Sequence, residues 1–254
     1  MIRASNAIGP EWLSEYRTQL EALWGQIVYL NSYNYIMGNI AQFPWHLFSL
    51  NQNYFFDCIF AAMLESCVSI VYRIVIDTNS KTLTLPAFKN KVLEHLIDPA
   101  VRDSLKSELD NLSFNKEFKE YKNLFIKIRH EEISHFNRER NTKLTEAELR
   151  QRQELVNQIS PASELIGQLF QILCLGKVHL QSLSEYSQGK PFFPKDGTVS
   201  DIEKLLDWVA DQSPLLHMPE DEPQVWSMFR RKYSAEDIET INTYRRKFNL
   251  PKIT

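Results

Sequence analysis

Within the segment 113–137, SFNKEFKEYKNLFIKIRHEEISHFN, Arg129 and His135 stand six residues apart at the end of a helical apolar stripe. An imidazole moves a proton near neutral pH, and a guanidinium grips a phosphate and its developing charge. Together they suit cleavage of RNA by its own 2′-hydroxyl, chemistry that calls for no metal and no cofactor. Phe114, Phe118, Tyr121, Phe125 and Ile128 recur at helical spacing, within roughly 40° of the centre of one face. On the same wheel Arg129 falls about 60° to one side of Phe114, His135 about 60° to the other, and Glu132 almost in line with it. The apolar face therefore turns polar in its last two turns. Charges there are costly unless paired, and Arg129 with Glu132 at i, i+3 supplies a pair. Arg129 and His135 are expected to line a cleft, with His130 and Glu132 holding them.

Spacing alone carries no weight, because an Arg followed by a His five to seven positions later is expected about once by chance in this composition. Context adds to it: a polar residue, His130, follows the Arg directly, and the pair closes a strongly amphipathic helix. A zinc-protease reading of HEEISH fails, since its two His are five apart and ligands on one helix face need i, i+4. Cys58, Cys67 and Cys174 match neither a zinc pattern nor a disulfide framework, which points to a reducing, cytoplasmic setting. No Gly-rich phosphate loop and no GxSxG elbow occurs.

The elements that position these residues read as helices. Trp12, Tyr16, Leu20, Leu23, Trp24, Ile27 and Leu30 recur at three and four behind Pro10, predicting a first helix. A second is predicted over residues 41–76, apolar nearly all round in its later half and ending near Asp77. Its stretch 55–76 is long enough to cross a bilayer, but Asp57, Glu65 and Arg73 interrupt it, so a buried helix and no membrane are expected. Residues 82–85 read as a loop before a helix over 86–96. Further helices are predicted over 99–109 and from 113, then from 145 to about 186 with an interruption at Ser160-Pro161. Gly and Pro cluster at 188–197, so the chain divides into a helical bundle, 1–188, and a helical C-terminal extension, 189–254. In the extension Ser200 with Glu203, and Ser234 with Asp237, form capping boxes. The fold class is all-α.

A chain of 254 residues, 43% hydrophobic and 24% charged, buries a real core and is neither disordered nor a coiled-coil rod. The first twenty residues lack an apolar run, so no signal peptide is expected. Net charge is −3, yet residues 113–152 carry +3 and residues 226–254 carry +4. In the second of these, Arg230, Arg231, Lys232, Arg245 and Arg246 interleave with aromatics, a surface that stacks bases and neutralises phosphates. Helices that pack aromatics inward and extend their cations outward produce the same pattern, and that reading is favoured.

The run Arg129-His130-Glu131-Glu132-Ile133-Ser134-His135 resembles the signature of the HEPN superfamily: Arg, a polar residue, then His a few positions on. The sequence is most similar to the branch linked to bacterial abortive infection, where an upstream helix ends in Arg and Asp before a loop alternating Ser/Thr with Leu. Here that reads Tyr72-Arg73-Ile74-Val75-Ile76-Asp77, then Lys81-Thr82-Leu83-Thr84-Leu85. The resemblance covers residues 10–186. It implies a helical bundle, a homodimer with both motifs near one cleft, and a metal-independent endoribonuclease of defence or toxin–antitoxin type, with RNA and an antitoxin protein as partners. The alternative it allows is a catalytically inactive RNA-binding or protein-interaction module. Arg73 and Asp77, at i, i+4, either support the Arg129 site or form a salt bridge ending their helix, and the salt bridge is favoured. Some members carry a Tyr two residues after the motif His; Asn137 stands there in this chain, so control through that Tyr does not carry over.

Overall fold

The computed structural model of the chain describes residues 4–48, 53–129, 146–175, 200–217 and 232–253. It is an all-α helical bundle: among the described residues the only strand-like pairing is an isolated bridge between Ile8 and Leu96. A single turn, α1 (Ala4–Ala7), is followed by α2 (Leu13–Gln42), α3 (Trp45–Phe48), α4 (Asn53–Val71), α5 (Leu85–His95), α6 (Pro99–Leu112) and α7 (Phe114–Ile128). Then come α8 (Glu146–Leu173), α9 (Asp201–Asp211) and α10 (Ala235–Lys247). Helix α4 runs on into a π-helical turn, Tyr72–Ile76.

Prolines explain where these helices differ from the sequence reading. The helix expected over 41–76 is divided, because Ala41 and Gln42 close α2 and α4 begins only at Asn53. Pro44 offers no N–H and disfavours helical backbone at Phe43, which stops α2 there. Pro161 has no such effect, and α8 runs straight through it without the expected interruption. An internal proline costs about 3 kcal/mol. Against that, Leu155, Ile159, Ala162, Ile166, Leu169, Phe170 and Leu173 of α8 are all buried, and each large apolar side chain contributes about 1.5–3 kcal/mol. Burial wins. The loop before α5 ends in Thr84, whose hydroxyl accepts from the Ala87 amide at 3.3 Å. Ser113, left-handed at φ 50°, lets α7 start directly after α6.

The chain forms two compact units, one of residues 1–37 and 61–191, the other of 38–60 and 192–254. In the first, α8 packs on α5, α6 and α7, and α7 also packs on the π turn. Tyr16 is fully buried; its hydroxyl donates to the Leu173 carbonyl at 2.9 Å and accepts from the Leu175 amide at 3.1 Å, closing the end of α8. Tyr16 stacks on Phe88 and meets Trp12 edge to face, and a buried hydrogen bond from Ser163 to Asn31 completes the core. Along 55–76, a stretch apolar and long enough to span a membrane, 39% of the window is buried. Its later part, with Cys67, Val68, Val71 and Ile74, lies in the core, whereas Phe55 is 59% exposed.

The second unit takes in residues 38–60, which the sequence reading had assigned to the bundle. Aromatic packing accounts for this, since Phe43 and Phe48 meet the Tyr244 ring edge to face at 6.2 and 4.7 Å. Both capping boxes are formed, at Ser200/Glu203 and Ser234/Asp237. Asp237 Oδ1 also lies 2.9 Å from His46 Nε2, binding α3 to the start of α10. The connector expected at 188–197 lies outside the described residues.

Phe125 is fully buried on α7, so Phe125→Ala should cost about 3–5 kcal/mol, read as a lower urea midpoint with an unchanged slope; an unmoved midpoint contradicts this packing. The His46 contact, then the Ser234 amide and hydroxyl, draw the Asp237 carboxyl down to about 2. A lowered carboxylate stabilises the fold above its ordinary titration range and loses that contribution as pH falls through its folded value. The α10 cap should therefore weaken between about pH 4 and pH 2, and a carbon-detected carboxyl titration should place Asp237 near the lower end. A midpoint near 4 would contradict the His46 contact.

Candidate functional site

Helix α7 is positioned by its apolar face: Phe114, Phe118, Phe125 and Ile128 are buried, and Phe114 and Phe118 stack at 5.2 Å. Burying that stripe fixes the rotation of α7 about its axis and so the flank on which Arg129 emerges. Arg129 is half-buried, at the point where the helix begins to widen to π winding. Its guanidinium carbon lies 5.8 Å from the centroid of the Tyr72 ring, a cation–π contact. Such contacts contribute about 0.5–1 kcal/mol when exposed and about 2 when desolvated. Tyr72 opens the π turn, a rare winding concentrated at functional positions.

Arg73 and Asp77 each find a partner other than one another. No salt bridge joins them. Arg73 is exposed and donates to the Gln26 side-chain carbonyl of α2, while Asp77 accepts from the Asn79 amide and the Thr82 hydroxyl, each at 2.9 Å. Asp77 ends the π turn with ψ 128°, and the donors of the loop that follows take the carboxylate in place of the favoured i, i+4 pair. The Asn79 amide, followed by the Thr82 hydroxyl, holds the Asp77 carboxyl below its ordinary range. Arg73 and Asp77 thus flank the segment that meets Arg129, each with its own partner.

His130, Glu132 and His135 lie outside the described residues, and so does the expected Arg129–Glu132 pair. Arg230 and Arg231 lie outside them too. Lys232 is exposed, with its ammonium 5.3 Å from the Tyr233 ring centroid. Arg246 is exposed and pairs with Glu239 at 3.6 Å. Arg245 departs from the expectation of a substrate-facing cation. It is buried, and its Nε and Nη1 donate to the Pro251 and Leu216 carbonyls at 2.6 and 2.5 Å. Its charge is used on the chain's own backbone, where the two carbonyls replace part of the hydration that burial takes from the guanidinium. Tyr72 is the site residue that the sequence reading missed; no pattern in YRIVID marks the π turn that sets its ring beneath Arg129.

Removing the ring tests this contact directly. In Tyr72→Leu the Arg129 side-chain Nε–Hε proton should lose the upfield shift that an aromatic face imposes, and in Tyr72→Phe it should keep it, as read in a nitrogen-edited proton spectrum. Identical resonances in wild type and Tyr72→Leu would show that the guanidinium does not rest on the ring.

The chain matches the HEPN_AbiU2 family, described as AbiU2, over residues 13–171, from the start of α2 into the last turn of α8. No curated protein and no solved structure matches it. The family match covers well over half of the chain and contains the π turn, all of α7 and the Arg129–His135 run. The chain therefore belongs to the AbiU2 family, in the abortive-infection branch of the HEPN superfamily.

Proposed function

We propose that the protein is a metal-independent endoribonuclease of bacterial defence or toxin–antitoxin type. The observation that carries the reading is Arg129 itself, half-buried at the end of α7 with its guanidinium against the Tyr72 ring. A guanidinium lying on an aromatic face retains the in-plane N–H donors that a phosphate accepts from. Membership of an abortive-infection family supports the setting. In the reaction Arg129 binds the scissile phosphate and the charge that grows on it, and His135 transfers the proton. The 2′-oxygen attacks phosphorus, the P–O5′ bond breaks, and the proton given up by the 2′-hydroxyl ends on the 5′-oxygen. His130 and Glu132 hold the two groups.

Purified protein is expected to cut RNA in EDTA. His135→Ala should lower kcat roughly 10²- to 10⁴-fold. Arg129→Lys should lower kcat/KM roughly 10- to 100-fold, because an ammonium keeps the charge and loses the planar fork. Full activity in His135→Ala, or a strict need for magnesium, overturns the assignment. RNA binding without cleavage would make the protein an inactive binding module instead.

A further inference from the structure

The solvent face of α7 carries a row of cations that leads to Arg129. Lys116, Lys119 and Lys122 are all exposed. Among the described residues none of the three enters an ion pair, although Glu117 and Glu120 stand on the same helix. Some exposed lysines are neutralised, Lys91 by Glu15 and Lys247 by Asp207, whereas Lys81, Lys106 and Lys127 are also exposed without an ion pair among the described residues but stand off this row. On a wheel of about 100° per residue each step of three drifts back about 60°, so the row forms a ridge winding around the helix. Lys122 and Arg129, seven residues apart, fall within about 20° of each other. The ridge turns through roughly 140° while rising about 20 Å from Lys116 to Arg129. At its head Lys116 shares a cleft of about 320 Å³ with Lys89 and Asp110, which carries the row onto α5.

We infer that this ridge is the track along which a single strand of RNA lies as it reaches Arg129. A chain of net charge −3 holds a polyanion only where its cations are gathered and left unpaired, and the ridge meets both conditions. The winding selects the kind of strand. A stiff duplex cannot follow a ridge that turns around one helix, whereas a flexible single strand places successive phosphates on Lys116, Lys119 and Lys122. The inference rests on Arg129 as the phosphate-binding group of the proposed site.

The test measures binding of a fluorescein-labelled oligouridylate of about twelve nucleotides to the His135→Ala protein across a salt series. If each lysine neutralises one phosphate, K116Q/K119Q/K122Q lowers the salt slope by about 2 and the affinity at 0.1 M salt by roughly 100-fold. The charge-conserving K116R/K119R/K122R should retain both, as should the equally discharged control K91Q/K106Q/K204Q. Matching circular dichroism would show that all three variants fold. An unmoved slope, an equal loss in the control, or no binding by the parent overturns the track. Cleavage by the wild-type chain, measured alongside, separates the two proposals. Cleavage with an unmoved slope removes the track and leaves the endoribonuclease standing, whereas a reduced slope without cleavage does the reverse.

Discussion

The rotation of α7 about its own axis is the constraint from which the site follows. Phe114, Phe118, Phe125 and Ile128 are buried together, and turning the helix by a third would expose most of that area. At about 1.5–3 kcal/mol for each large side chain, no single polar contact on the opposite face competes with this preference. With the phase set, Arg129 is carried to the Tyr72 ring, and Lys116, Lys119 and Lys122 are left in solvent. Packing thus determines the electrostatics of the helix.

The π turn at Tyr72–Ile76 is the second determinant. It buries Ile74 and Ile76, while Arg73 bonds to Gln26 and Asp77 to the Asn79–Thr82 loop. Asp77 is thereby spent on loop geometry. Arg129, over the Tyr72 ring at the start of the same turn, gains an aromatic support there.

Much of the fold could be read in the sequence because local chemistry and burial agree. Thr84 before Pro86, Asp98 before Pro99 and the Ser200/Glu203 and Ser234/Asp237 boxes start helices where their side chains cap backbone amides. The readings failed where long-range packing overrode a local rule. Pro44 ends a helix and Pro161 does not, and only the burial around α8 distinguishes them. Residues 38–60 join the second unit through Phe43, His46 and Phe48, whose partners lie about two hundred positions later. Of the site, Arg129 was legible through the stripe that precedes it. Tyr72 was not, because i, i+3 and i, i+4 spacing says nothing of a turn with a different period.

The central claim is the proposal that Arg129 and His135 direct a 2′-hydroxyl onto its own phosphate. The most direct measurement is mass spectrometry of the products from a DNA strand holding a single ribonucleotide, incubated with the protein in EDTA. The account predicts one cut, immediately 3′ of the ribonucleotide, leaving a 2′,3′-cyclic phosphate on the upstream fragment and a free 5′-hydroxyl on the downstream one. Cuts at deoxynucleotides, or fragments ending in a 5′-phosphate, would contradict it.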